Sequence, residues 1–239
     1  MGWLSWERYR CMTDCVNYPD DCISEKLFKN TADQIVDGGY KDAGYEYVMI
    51  DDCWQAQTRD GANKLQPDPD RFPNGIKYLA DYIHKLGLKF GIYSDVGDTS
   101  CAGFPGTEYH FEEDAQTFAD WTIDFLKLDG CYYDMDNIPP NGVLPESNWP
   151  PDWLPLRLAL LLGIRWQAAK HCNSWRNCHD IDDSWDSLLG IVNCEGDDKT
   201  HFLEVAGPGN FNDADIVAYS LSSSWPSSSS PSFQKRYYQ

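Results

Sequence analysis

The sequence predicts an α/β fold built on a parallel sheet, and three observations carry that expectation. Short apolar runs close repeatedly on carboxylates: Tyr47-Val48-Met49-Ile50 on Asp51 and Asp52, Phe90-Gly91-Ile92-Tyr93-Ser94 on Asp95, and Phe125-Leu126-Lys127-Leu128 on Asp129. Stretches of helical periodicity separate these runs. The unit recurs at intervals of about forty residues, which suits βαβ crossovers and is too long for hairpins.

The elements follow in order. Met1-Gly2-Trp3 reads as a first strand. Ser24 is placed to cap a helix whose apolar face is Leu27, Ala32, Ile35 and Val36, stopped by Gly38 and Gly39. After the Tyr47 strand, Ile76, Leu79, Ala80 and Ile83 form a second stripe with Gly87 behind it. Phe111, Ala115, Phe118, Ala119 and Ile123 form a third, ahead of the strand that carries Lys127. The chain has room for one such domain and little else.

Chemistry in parallel α/β folds gathers at the carboxyl ends of the strands. Lys127 stands inside an apolar strand, where an unpartnered ammonium would cost several kcal/mol. That strand is therefore expected to line a site, although a solvent-facing lysine on an edge strand would produce the same letters. Lys127 and Asp129 are two residues apart and project to one side, and the lysine charge is expected to favour the ionised carboxylate. So many carboxylates at strand ends suit a sugar or a metal.

The net charge of −19 argues against nucleic acid and against anionic membranes. Ten Trp and fourteen Tyr suit either sugar rings or an aromatic core. Nine cysteines point to an oxidising compartment. Without paired CxxC spacing or histidine ligands, disulfides are favoured over zinc, and the odd count leaves one thiol over. Leu154 to Ile164 is too short a run to span a membrane. No secretory leader precedes Met1, so the chain reads as a mature form or one incomplete at its start.

Several motifs together resemble a known family. Met1-Gly2-Trp3-Leu4-Ser5-Trp6, Ile50-Asp51-Asp52-Cys53-Trp54, Arg71-Phe72-Pro73, Cys101-Ala102-Gly103-Phe104-Pro105-Gly106 and Lys127-Leu128-Asp129-Gly130-Cys131 are similar to the animal-type α-galactosidase and α-N-acetylgalactosaminidase group, glycoside hydrolase family 27. Trp175-Arg176-Asn177, Asp180-Ile181-Asp182-Asp183-Ser184-Trp185 and Val205-Ala206-Gly207-Pro208-Gly209 extend the likeness. The resemblance implies a (β/α)8 TIM barrel and a lysosomal or secreted enzyme. It implies removal of terminal α-linked galactose or N-acetylgalactosamine from glycans or glycolipids with retention, without a cofactor, in a possible homodimer.

By the same resemblance Asp129 is the nucleophile and Asp180 the acid/base. Asp51 and Asp52 grip the 4- and 6-hydroxyls, Lys127 lies near the 3- and 4-hydroxyls, and Arg176 approaches the 2-position. Trp6 and Tyr93 line the ring, and Asp215 stands at the rim. The implied disulfides are Cys11–Cys53, Cys15–Cys22 and Cys101–Cys131. Like-charge repulsion from Asp182 and Asp183 is expected to raise the Asp180 pKa, those two reading as a helix cap. A metal on Asp51-Asp52, Asp180 to Asp183 or Asp213 to Asp215 is disfavoured by the lysine beside Asp129.

The pattern breaks twice. Residues 138–155 hold six prolines in eighteen positions, which excludes a regular helix or central strand there. Leu158, Ala159, Leu161 and Leu162 could then form a short helix, and the family's loop that reads the 2-substituent is lost. By the resemblance Cys172 would pair with a cysteine in the family's fifth barrel strand, and it loses that partner here. After Val217 a Ser-rich tail, 218–239, reads as disordered. The expectation is a catalytic barrel over 1–217, aberrant across 138–171 and incomplete at its fifth and closing strands. It lacks a C-terminal β domain and is poorly stable or inactive as written.

Overall fold

The computed structural model describes residues 1–133, 157–160, 174–176, 178–182, 184–197, 204, 206–208 and 211–213. Its strands are β1 (Gly2–Leu4), β2 (Tyr47–Met49), β3 (Lys89–Asp95), β4 (Phe125–Asp129), β5 (Arg157–Leu160), β6 (Ser174–Trp175) and β7 (Phe211–Asn212). Each pairs in parallel with the next, so the order in space is the order in sequence. That is the wall of a (β/α)8 barrel. Among the described residues no ladder joins β1 to β7, so the wall they form is open. The helices are α1 (Trp6–Tyr9), α2 (Glu25–Asp37), α3 (Gly75–Lys85), α4 (Phe111–Asp120) and α5 (Trp185–Asp197).

Local chemistry sets the helix ends. Ser24 Oγ accepts the Leu27 N–H at 3.3 Å and opens α2. The chain leaves that helix through Gly38 and a left-handed Gly39, φ +76°. The third helix departs from the expected stripe. Ala119 is exposed and Ile123 lies beyond the helix, while Asp114 and Thr117 join Ala115 and Phe118 on the buried face. The cause is Arg59, whose two terminal nitrogens each donate to one Asp114 carboxylate oxygen at 2.6 Å. Arg59 also donates to the Gly106 carbonyl at 2.6 Å. Burial raises the Asp114 pKa and the Arg59 charge works against it.

The main apolar core lies between sheet and helices, where Val48, Ile50, Phe90, Ile92 and Leu126 meet Phe28 and Ile35 of α2 and Ile76, Leu79 and Ile83 of α3. The opposite, inward face begins with an aromatic floor. Tyr47 and Phe125 meet edge to face at 6.1 Å from β2 and β4, with β3 between them. Gly91 leaves the room between the neighbouring strands, since a Cβ there would lie 2.7 Å from Met49 Cγ and 3.3 Å from Phe125 Cβ. Above that floor stand Tyr93, Lys127, Asp95 and Asp129.

Arg157–Leu160 is a strand, contrary to the short helix expected around Leu158. A brief apolar run reads alike as buried helix or strand, and the free hydrogen-bonding edge of β4 decides between them. The proline-rich stretch and the Ser-rich tail lie outside the described residues, as does Cys172. Disulfides join Cys11 to Cys53, Cys15 to Cys22 and Cys101 to Cys131. A further bond, Cys178–Cys194, was not anticipated and ties the loop after β6 to α5.

Arg59→Ala should cost about 3–5 kcal/mol, because it strands a buried carboxylate. The Asp114 side chain is only 1% exposed. Urea unfolding would show this, and Arg59→Ala with Asp114→Ala should recover part of the loss.

Candidate active site

Strand geometry brings the site together. Tyr93 and Asp95 alternate with Ser94 on β3, Lys127 and Asp129 alternate with Leu128 on β4, and the pairs are register partners, Tyr93 with Lys127 and Asp95 with Asp129. Asp51 and Asp52 follow β2 after Ile50. All are presented at carboxyl ends of adjacent strands.

Lys127 finds its partner across the sheet. Its Nζ donates to Asp51 Oδ2 at 2.7 Å and lies 5.5 Å from the centre of the Tyr93 ring. Burial alone would push the Lys127 pKa down, but the charges of Asp51 and Asp129 more than reverse this and raise it. The lysine is therefore a fixed cation. The Ser5 hydroxyl, just past β1, accepts the Asp51 N–H at 3.0 Å and locks the second strand end to the first. Cys53 follows with φ +73°, a left-handed turn held by its disulfide to Cys11.

The other carboxyls carry backbone bonds. Asp52 accepts from Cys53 N–H at 2.7 Å and Ala102 N–H at 3.0 Å, yet burial pushes its pKa up to about 6. Asp95 accepts from Gly97 N–H at 2.8 Å and Cys131 N–H at 3.0 Å, and burial raises it likewise to about 6. Asp129 accepts from Gly130 N–H at 2.9 Å. Here the expectation needs correcting: the Lys127 charge does pull the Asp129 pKa down, but burial is larger and the net shift is upward. Tyr93 Oη stands 3.2 Å from both Asp129 Oδ2 and Asp95 Oδ2. Burial and the surrounding carboxylates push the Tyr93 pKa up, so it remains a hydroxyl.

Asp95, Cys101, Asp129 and Cys131 present donor atoms within 4.8 Å of one another. Two of these atoms are the sulfurs of the Cys101–Cys131 bond. They have no thiolate to give a cation, which leaves two carboxylates beside an ammonium.

Arg176 and Asp180, in the segment after β6, form an ion pair with each other. The Arg176 charge is also felt at Lys127, which puts it at the same end of the sheet. Asp180 thus has a cation beside it. Asp182 turns instead to Arg10 at 3.3 Å, whose guanidinium lies 5.5 Å from the Trp6 ring centre. At the start of α5 Ser184 Oγ accepts Ser187 N–H at 3.1 Å, a capping bond that Asp182 was expected to supply. Asp183 and Asp215 lie outside the described residues.

Sequence reading assigned no role to Asp95 or Ser5. Asp95 was legible as the inward neighbour of Tyr93 at period two; Ser5 carried no signal of its own.

Comparison with known proteins comes down on one group. Residues 1–143 and 161–229 match the family model described as alpha galactosidase A. Human alpha-galactosidase A is 47% identical over 231 residues, which cover 91% of this chain and 53% of that protein. The alpha-N-acetylgalactosaminidase of Gallus gallus is 44% identical over 233 residues, 91% of this chain and 56% of that one. Among solved structures, alpha-galactosidase I from Mortierella vinacea aligns with a TM-score of 0.73 at 32% identity, over 90% of this chain and 58% of its own. The chain spans about half the length of the curated relatives it matches. Among the described residues no helix is long and apolar enough to cross a membrane.

The buried carboxyls make stability depend on pH with a definite sign. Asp52 and Asp95 titrate near 6 when folded, against an ordinary value of 3.8. Between those values the folded chain holds protons that the unfolded chain has released, so stability falls as pH rises through that window. Thermal unfolding should give a higher Tm at about pH 5 than at about pH 7, and Asp52→Asn should shrink the difference.

Proposed function

The chain belongs to this alpha-galactosidase A family, and on that premise we propose that it forms the barrel of a retaining glycoside hydrolase acting on terminal α-linked galactose or N-acetylgalactosamine. The observation that carries this reading is the connected cluster of Asp51, Lys127, Tyr93 and Asp129, gathered from three adjacent strands at one end of the sheet. Fixed carboxylates and one ammonium are a good match for a ring of hydroxyls, since they accept and donate in directions set before the sugar arrives.

In the proposed reaction an Asp129 oxygen attacks the anomeric carbon. The bond from that carbon to the leaving oxygen breaks, and Asp180 gives that oxygen its proton. Water then attacks the glycosyl ester, Asp180 takes back a proton, and Asp129 leaves as carboxylate. The Gly130 N–H fixes one Asp129 oxygen and the Tyr93 hydroxyl lies against the other. Asp180 has a side chain 54% exposed, accessible to water and to the leaving oxygen. Asp51 and Asp52 would hold the 4- and 6-hydroxyls, Lys127 the 3- and 4-hydroxyls, and Arg176 the 2-position, with Trp6 and Tyr93 along the ring and Asp215 at the rim. No cofactor enters these steps. The disulfides fit a lysosomal or secreted protein, and a homodimer belongs to the same reading.

The test is release of 4-nitrophenol from its α-galactoside and its α-N-acetylgalactosaminide at acidic pH. Asp129→Asn should lower kcat by at least about 10³-fold with the fold intact by circular dichroism; full activity in that variant rules the assignment out. Asp180→Asn should cost roughly 10²–10⁴-fold on alkyl glycosides and much less on 4-nitrophenyl ones, whose leaving group needs little protonation. Galactose binding without turnover in the unaltered chain would identify a sugar-binding relative instead.

A further inference from the structure

Two carboxyls compete for one phenol. Asp95 Oδ2 and Asp129 Oδ2 each stand 3.2 Å from Tyr93 Oη, and a phenol has a single hydrogen to donate. That hydrogen satisfies one carboxylate. The other would then face an oxygen lone pair, with negative charge on both sides, unless it carries a proton itself. The contacts are complete in one arrangement: one carboxyl is protonated and donates to the phenol oxygen, while the phenol donates to the other, ionised carboxylate.

The surroundings decide which is which. Asp129 has the Lys127 ammonium two residues back on its own strand, and each charge is felt by the other. Asp95 is wholly buried, and among the described residues no ion pair reaches it. Its oxygens accept from the Gly97 and Cys131 amides. A proton on Oδ2 leaves both of these possible, because a protonated carboxyl keeps acceptor capacity on each oxygen. Like charges this close do not both ionise readily.

We propose that Asp95 is a positioning residue for Asp129: it carries the one proton the two carboxyls share, donates it as a hydrogen bond to Tyr93, and so directs the Tyr93 hydroxyl onto an ionised Asp129. This rests on Asp129 as the nucleophile. The displacement of Asp95 to about 6 by burial, with the Asp129 charge adding to it, points the same way. The titratable and charged groups facing the pair are Tyr93 from β3, Lys127 from β4, Asp51 and Asp52 past β2, and Arg176 past β6, which acts on Lys127. Burial raises both carboxyls, but the Lys127 charge opposes it at Asp129, so acid protonates Asp95 first and spares the nucleophile. Once Asp129 becomes an ester its charge is gone, and Asp95 holds its proton less firmly.

Carboxyl-13C NMR on the full chain, with Asp95 and Asp129 assigned and no sugar present, tests this. In the unaltered chain Asp95 should make the step near pH 6, with Asp129 still ionised through that step. In Asp95→Asn that step should vanish while the Asp129 step stays where it was. The proposal is overturned if Asp129 itself makes the upper step, if both carboxyls remain ionised through it, or if Asp95→Asn moves the Asp129 step markedly downward. The unaltered chain alone decides the first two outcomes, should the variant not fold. A chain that hydrolyses nothing yet shows the Asp95 step would refute the hydrolase reading and leave only the placement of the proton on Asp95. A hydrolase in which Asp129 makes the step would do the reverse.

Discussion

A single ammonium makes the inward face of this sheet possible. Lys127 reaches over the Tyr93 ring from β4 to Asp51 beyond β2, and it is the counter-charge for carboxyls that crowd the ends of three strands. Neither side of that contact is tolerable alone. A buried lysine without a carboxylate, or these carboxylates without a cation, would each leave an uncompensated charge at a cost of about 3–5 kcal/mol. The pairing also fixes a distance. Lys127 can span to Asp51 because β3 puts Gly91 one layer below, where the Tyr47 and Phe125 rings close the floor, and an aromatic face at the layer where the lysine passes.

The carboxyls then shape the loops as much as they wait for a ligand. Asp52 draws in the Ala102 amide, and Asp95 draws in those of Gly97 and Cys131, so the loops after β3 and β4 are anchored on side chains that face the site. The Cys101–Cys131 bond staples those two loops to each other. Gly97 lies so close to the Cys131 carbonyl that a Cβ there would sit 2.2 Å from it. From outside, Arg59 fixes the Gly106 carbonyl while holding Asp114 on α4. Fold and site use the same atoms here, so a change made for chemistry is felt in stability and in its pH dependence.

How much of this was legible in the sequence follows from the range of each interaction. The first helices were readable because their signals are local: Ser24 three residues before the amide it caps, glycines at the exits, and stripes at helical period. The α4 stripe misled at Ala119 because Asp114 is pulled inward by an arginine 55 residues away. Likewise Lys127 was legible as a buried cation, but its partner, 76 residues off, was not, and the nearer Asp129 stood in for it. The 157–160 run failed for another reason. Its letters fit helix and strand equally, and only the edge of β4 makes the choice.

The two halves of the proposed reaction sit in unlike surroundings, and the difference is physical. The proposed nucleophile is held by Gly130, Tyr93 and the field of Lys127 on a strand whose alternate residues enter the core. Attack on carbon needs an oxygen fixed to within a fraction of an ångström and shielded from competing water. The proposed acid/base stands on an irregular segment with more than half its side chain exposed, in an ion pair with Arg176 four residues before it. It must exchange protons with a leaving oxygen and then with water, so exposure serves it. Rigid strands therefore carry the group whose position matters most, and a loop braced by a local ion pair and the Cys178–Cys194 bond carries the group that must meet solvent.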